Sequence, residues 1–154
     1  MNLKKMIFYL CPLVVFYSCS REVLTWVPGT VTDTGDITIT CDASQGNRGL
    51  YGYKGKVYAY IGVVTDLSGN LTNWQHAPFE WGTKDPLALA SPVGENKWVY
   101  SIHNIRKFFD VPGSEKILRI AILFKAGETK DTKQVLRNKD GTDMFIPVVD
   151  KTSE

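Results

Sequence analysis

The chain has 154 residues, the length of one domain, and 18 Lys and Arg against 16 Asp and Glu give it a formal net charge of +2. Hydrophobic residues make up 44% and charged residues 22% of the sequence, a balance that excludes general disorder. The basic residues are dispersed rather than clustered, so we expect no nucleic-acid partner.

The chain begins with the pattern of a secretory signal. Lys4 and Lys5 precede an apolar stretch over residues 6–16, which is short for a permanent membrane span. Small Ser18 then precedes Cys19, as in the cleavage site of bacterial lipoproteins. The pattern indicates an exported protein.

From this pattern we predict a signal peptide over residues 1–18 and a lipidated Cys19 that begins a tether over residues 19–35. The lipid would anchor the protein to the outer membrane or cell surface. Phe16 stands where lipoprotein signals have an aliphatic residue. A plain signal peptide, or a short membrane anchor with an incidental Cys19, is therefore the alternative.

Cleavage before Cys19 would remove two of the 18 basic residues, Lys4 and Lys5. The remaining basic residues would then equal the 16 acidic residues in number. The mature domain would then carry no net charge to attract DNA or acidic membranes. Its remaining cysteine, Cys41, alternates with Ile37 and Ile39, which predicts that all three side chains are buried.

From residue 36 onward, apolar residues alternate with polar ones in segments separated by Gly, Asn, Asp and Pro. The segments that we predict to be strands are 36–41, 56–64, 97–102, 117–125 and 143–149, with a weaker one near 133–137. Asn104 can cap a helical turn in which Ile105, Phe108 and Phe109 recur at helical spacing. One short helix among many strands predicts an all-β domain over residues 36–150, an antiparallel sandwich of immunoglobulin-like type.

The inventory of reactive groups argues against an enzyme. The two histidines, His76 and His103, build no triad or metal motif with their sequence neighbours, and no Gly-rich phosphate loop is present. We therefore expect no catalysis, no metal and no cofactor. The alternative is a small hydrolase in which Glu80 and Asp85 form the pair of catalytic carboxylates. Carboxylates among turn residues are, however, typical of solvated loops.

Two tyrosines on one predicted strand suggest a binding surface. In residues 57–63 the odd positions are all apolar and predict the core face. Tyr58 and Tyr60 would then share the opposite face, which we expect to be open to solvent. Gly62, next on that face, would leave space beside the rings.

The long connection over residues 65–96 adds further aromatic and polar groups. Trp74 and Trp81 lie there with His76 and Lys84. Planar rings beside a few polar groups are suited to sugars, because a pyranose stacks its C–H face on a ring while its hydroxyls find partners at the edge. The alternative is that these rings serve only to pack the domain.

Several segments taken together carry a family resemblance. They are ITITCDASQGN (37–47), VYAYIGV (57–63), WQH (74–76), WG (81–82), IRKFFDVPGSEKI (105–117), AILF (121–124) and DMFIPV (143–148). In combination they resemble the N-terminal starch-binding-like module of surface α-amylase-family lipoproteins from the Bacteroidota. The resemblance covers nearly all of residues 36–149. It implies an immunoglobulin-like sandwich outside the cell, with Tyr58, Tyr60, Trp74 and Trp81 in a carbohydrate-binding surface.

The chain also departs from that family. Tyr60 stands where the family has His, and the chain stops at Glu154, where such a module would be followed by a catalytic barrel. The resemblance therefore implies no catalytic activity for this chain. A free-standing binding lipoprotein and a remnant of a larger glycoside hydrolase both fit this pattern.

The sequence thus predicts a non-catalytic surface module that binds α-glucan or a related polysaccharide, with other glycan-uptake proteins at the cell surface as expected partners. The residues expected to bind it are Tyr58, Tyr60, Trp74, His76, Trp81 and Lys84. A sandwich that uses its aromatic residues to bind or pack against a partner protein is the alternative from a different class.

Overall fold

The computed structural model describes residues 22–127 and 134–149. The predicted signal peptide over 1–18 and the predicted lipidation site Cys19 lie outside the described residues and stay predictions. Within the described ranges, no helix has the length and apolar character needed to cross a membrane.

Most of the ordered secondary structure is β-strand. The strands in chain order are β1 Leu24–Val27, β2 Ile37–Asp42, β3 Val57–Thr65, β4 Leu89–Gly94, β5 Lys97–Ile102, β6 Ile117–Ala126, β7 Val135–Leu136 and β8 Met144–Pro147. A 3₁₀ turn at Pro86–Ala88 precedes β4, and a single helical turn, α1 Ile105–Phe108, follows β5. Each segment predicted as a strand contains one.

The strands form two antiparallel layers that share β4. The first layer has the order β1-β2-β5-β4, and the second has the order β4-β3-β6. Both β7 and β8 pair with the free side of β6 and together form one interrupted edge strand. Sheets in which the first, second, fifth and fourth strands face the third, sixth and seventh are typical of immunoglobulin-like domains. The predicted all-β sandwich is confirmed.

Strand β4 crosses from one layer to the other. Leu89 and Ala90 pair with β3, whereas Ser91, Pro92 and Gly94 pair with β5. The sequence does not predict this strand, because a Ser-Pro pair is typical of a turn and every residue of β4 except Ala90 is exposed. The crossing closes one side of the sandwich and opens a groove beside it.

The core lies between the layers and follows the predicted alternation. Ile37, Ile39 and Cys41 of β2 are buried, as predicted. They pack in one cluster with the odd positions of β3 and with alternate residues of β5, β6 and β8. Burial raises the pKa of the Cys41 thiol to about 12, so at neutral pH this side chain is a neutral core group.

The predicted helical turn is confirmed and is fixed at its start. The Asn104 side chain accepts a hydrogen bond from the backbone N–H of Lys107, which makes Asn104 the N-cap. Arg106 donates to Asp33 and to the carbonyl oxygens of Pro112 and Glu115. These bonds join the turn to the segment before β2 and to the segment before β6.

Candidate functional site

The connection between β3 and β4 covers the outer face of β3. The backbones of Val63 and Gln75 exchange two hydrogen bonds, with N···O distances of 2.7 and 3.0 Å. A Cβ at Gly62 would lie 3.3 Å from the Cβ of Trp74 and 3.1 Å from the Gln75 carbonyl. The expectation of free space at Gly62 is therefore wrong, and the face is only partly open to solvent. The connection fills that space.

Three of the predicted aromatic residues come together over this face. The rings of Tyr60 and Trp74 stack with centroids 5.4 Å apart and planes inclined by 26°. Trp81 meets Tyr60 edge to face, with centroids 4.9 Å apart and planes at 86°. All three side chains are half-buried and pack against the core, so each ring keeps part of its surface in solvent. The predicted proximity of these three residues is confirmed.

The three rings form one side of an open cleft of about 440 Å³, which we call the aromatic cleft. Its lining residues are Tyr60, Thr72, Asn73, Trp74, Trp81, Leu123, Arg137 and Asp143. Leu123 lies directly opposite Tyr60 on β6 and continues the apolar surface. The sequence did not identify the polar members, Arg137 and Asp143, because they come from a loop far along the chain.

That loop is the interruption between β7 and β8. Leu136 pairs with Phe124, and pairing to β6 resumes where Met144 faces Ile122, so residues 137–143 leave the sheet. The half-buried guanidinium and carboxylate of Arg137 and Asp143 form an ion pair across the base of the loop. A planar donor group and an acceptor group therefore lie side by side next to the rings.

A second contact fixes the backbone of this loop. The Asn47 side chain accepts from the Arg137 backbone N–H at 3.0 Å and donates to the Val135 carbonyl at 2.9 Å. Asn138 donates to the Asp143 carbonyl at 2.8 Å. The ion pair at the cleft is thus supported on both sides of the loop. This support reduces the conformational entropy that the two side chains would lose on binding a ligand.

The other rim of the cleft is a tight local turn. Asn70 Oδ1 accepts from the backbone N–H and hydroxyl of Thr72 and from the backbone N–H of Asn73. The Asn73 side-chain oxygen accepts from the Gln75 amide at 3.0 Å. The indole nitrogen of Trp74 is buried and has no acceptor in the described part of the chain. The exposed hydroxyl and amide of Thr72 and Asn73 are the polar groups that this rim offers.

Tyr58 does not belong to the cleft. Its side chain is 6% exposed, so the prediction that it is an exposed ring beside Tyr60 is wrong. It faces Lys125 across β3 and β6, and a Cβ at Gly127 would lie 2.3 Å from its ring. Tyr58 instead lines a separate groove beside β4. Alternation along β3 predicts its face correctly but does not show what covers that face.

His76 is also separate from the cleft. Its Nε2 lies 3.0 Å from a carboxylate oxygen of Glu115, whose side chain is almost fully buried. His76 has a φ of 52°, in the left-handed region, and is not among the residues lining the cleft. Contrary to expectation, it does not lie with Trp74 and Trp81 in the cleft. The pair joins the connection to the segment before β6.

Lys84 is exposed and lines the groove with Tyr58 rather than the aromatic cleft, contrary to its predicted place beside the rings. Lys125, which the sequence analysis did not identify, lies beside the Trp81 ring. Its ammonium is 5.5 Å from the Trp81 ring centroid and donates to the Ala126 carbonyl at 3.1 Å. Burial, followed by the charge of Lys84, lowers the pKa of Lys125.

The two carboxylates of the alternative hydrolase hypothesis do not line the aromatic cleft; they lie beside Trp81 in a separate hollow. Glu80 and Asp85 are exposed and line a hollow of about 420 Å³. The Asp85 carboxylate accepts from the Leu87 backbone N–H at 2.8 Å and so caps the 3₁₀ turn. In residues 22–127 and 134–149, no three His, Cys, Asp or Glu side chains are arranged to hold a metal ion.

The cleft therefore offers three half-exposed rings, one planar cation paired with a carboxylate, and a hydroxyl and an amide on the opposite rim. Groups of this kind bind a ligand that has both apolar faces and many hydroxyls. Compared with protein-family models and with curated proteins, the chain matches none of them.

Proposed function

We propose that the protein is a non-catalytic binding module whose aromatic cleft takes a carbohydrate, with α-glucan or a related polysaccharide as the favoured ligand. The observation that carries the proposal is the convergence of Tyr60, Trp74 and Trp81 beside the ion pair of Arg137 and Asp143. Rings would stack on the C–H faces of the sugar, and the ion pair would exchange hydrogen bonds with its hydroxyls.

Among carbohydrates, an α-glucan is favoured by the resemblance to starch-binding-like modules at residues 57–63 and 74–76.

The setting that we propose is the outside of the cell. A lipid on Cys19 would hold the domain at the outer membrane, where it could keep a polysaccharide near other glycan-uptake proteins. Binding by one such shallow cleft would be weak alone. The overall affinity would be raised by the many repeated sites of a polymer and by several copies of the protein on one surface.

Trp74→Ala and Trp81→Ala test the proposal, with Trp26→Ala as the matched control. Trp26 is also half-buried against the core, but it lies on β1 and does not line the cleft. Removal of a stacking ring should weaken glucan binding by about 1–3 kcal/mol, by analogy with stacking on nucleic-acid bases. All three variants lose packing and should melt at lower temperature, whereas only the first two should lose affinity.

Isothermal titration with maltoheptaose, together with the melting temperature of each variant, provides the measurement. Trp26→Ala separates loss of binding from loss of stability, because it lowers stability without touching the cleft. Unchanged glucan affinity in Trp74→Ala and Trp81→Ala would contradict the proposal. Equal loss of affinity in all three variants would show that destabilisation alone explains the effect.

The second candidate, a protein-interaction module, has support from a different surface. The outer face of the first layer is uncharged between its ends, with exposed Val27 and hydroxyl residues paired across the strands. Its members are Thr25, Val27, Thr38, Thr40, Val99 and Ser101. If this face binds a partner, Val27→Lys should abolish co-precipitation of that partner from the cell surface, whereas Trp74→Ala should leave it intact.

A further inference from the structure

A groove beside β4 is larger than the aromatic cleft and shares no lining residue with it. It encloses about 760 Å³ and lies where β4 leaves β3 and crosses to β5. Residues before β3 form one wall and β4 forms the other. The proposed glucan function does not use this space.

The charged groups that line the groove are mostly positive. Lys54, Lys56 and Lys84 contribute three ammonium groups, and Glu95 contributes the single carboxylate. Lys54 and Glu95 are 3.9 Å apart and both highly exposed, so their attraction is weak. Neither Lys56 nor Lys84 pairs with a carboxylate in the described part of the chain.

A buried cation lies behind the wall of the groove. Lys125 is 2% exposed and faces Tyr58 across the two strands. Burial lowers the pKa of Lys125, and the charge of Lys84 lowers it further. An anion placed between the groove lysines would reduce the electrostatic cost of holding like charges near one another.

Two tyrosine rings in the lining of the groove pack closely against glycines. The Tyr58 ring rests on Gly127, where an added Cβ would lie 2.3 Å away. The Tyr53 ring rests on Gly55 in the same way, with its hydroxyl 2.3 Å from the position of a Cβ. Both glycines therefore admit rings that a larger residue would displace, and the rings hold the walls in place.

We propose that the groove is a second binding site, which takes the carboxylate or sulfate group of an acidic saccharide. The groove lysines would donate charge-assisted hydrogen bonds to the anionic group, while the half-buried Tyr53 ring and the backbone of the walls would contact the sugar ring. The site is independent of the aromatic cleft, so either proposal can fail without the other.

The test is titration of the protein with three oligosaccharides of similar length: trigalacturonate, a sulfated trisaccharide and neutral maltotriose. The two acidic probes distinguish a carboxylate from a sulfate site. Binding should be measurable at about 20 mM salt and weaker at about 150 mM, because exposed charges are screened. Maltotriose should not compete for the groove.

Lys56→Gln and Lys84→Gln, singly and together, assign the binding to the groove. The double variant should bind the preferred acidic probe at least about tenfold more weakly, which is the effect of losing charge-assisted contacts. Lys107→Gln is the matched control, because Lys107 is an exposed lysine on α1 outside the groove. Trp74→Ala should leave this binding unchanged.

Three results would overturn the assignment. The first is that neither acidic probe binds at low salt. The second is that Lys107→Gln weakens binding as much as the groove variants, which would indicate non-specific attraction to surface charge. The third is that maltotriose displaces the acidic probe and Trp74→Ala abolishes its binding, which would move the site to the aromatic cleft.

Discussion

Asp42 at the end of β2 shows how a nearly buried carboxylate can stabilise the domain. Burial alone would raise its pKa, but two hydrogen bonds from Ser44 and the nearby ammonium of Lys97 outweigh burial and lower it. The folded state therefore favours the charged form. Its contribution to stability is present above the unfolded pKa, about 3.9, and is lost as pH falls through the lower folded pKa.

Asp42→Asn keeps the shape of the side chain and removes the charge. We expect it to lower the free energy of unfolding by about 1 kcal/mol at pH 7, and by less at an acid pH below the lowered folded pKa, where the wild-type carboxyl is also protonated. Urea denaturation at both pH values gives the difference. An equal loss at both would show that shape, not charge, matters at this position.

Among the elements, the helical turn α1 depends on its first residue. Asn104 has a φ of 47°, in the left-handed region, and its side chain caps the N–H of Lys107. Asn104→Ala should lower the free energy of unfolding by about 1–2 kcal/mol, because it loses the cap and strains the backbone. Asn104→Gly, which loses the cap but accepts the positive φ, should cost less. Urea denaturation of both variants provides the measurement. A lower stability of Asn104→Gly than of Asn104→Ala would contradict this explanation.

The loop that carries Arg137 is supported by a close contact with Gly46. A Cβ at Gly46 would lie 2.2 Å from the Arg137 carbonyl, and the φ of Gly46 is 63°. Gly46→Ala should therefore destabilise the domain by about 2–4 kcal/mol and weaken glucan binding by moving the ion pair. Gly69→Ala is the control, because nothing lies within 4 Å of its added Cβ. Calorimetric melting and glucan titration should separate the two variants, and equal behaviour would contradict this account.

The elements also show what the sequence can and cannot predict. Alternation in β3 correctly predicts that Val57 and Ile61 face the core, because a strand has only two faces. It does not predict that Tyr58 is covered, since the cover comes from distant parts of the chain. Arg137 lies beside Tyr60 for the same kind of reason, because only the three-dimensional path of the loop after β7 brings it there.

At the scale of the whole molecule, the second layer carries both proposed binding sites. Tyr58 and Tyr60 are neighbours on the same face of β3, yet one lines the groove beside β4 and the other lines the aromatic cleft. Trp81 belongs to the cleft and lies within 5.5 Å of the Lys125 ammonium, which faces Tyr58. The first layer has an outer face of hydroxyl and valine side chains, so the domain has two chemically different sides.

The last prediction concerns where the whole molecule resides. If Cys19 carries lipid, the acyl chains supply roughly 0.8 kcal/mol of membrane affinity per buried CH₂. Cys19→Ala should therefore move the protein from the membrane fraction to the aqueous fraction and abolish labelling by radioactive palmitate. Cys11→Ala, which alters the predicted signal peptide but not the predicted lipidation site, should change neither. Membrane fractionation with both variants tests the anchor, and an unlabelled wild type that still pellets with membranes would favour attachment through the apolar stretch over residues 6–16.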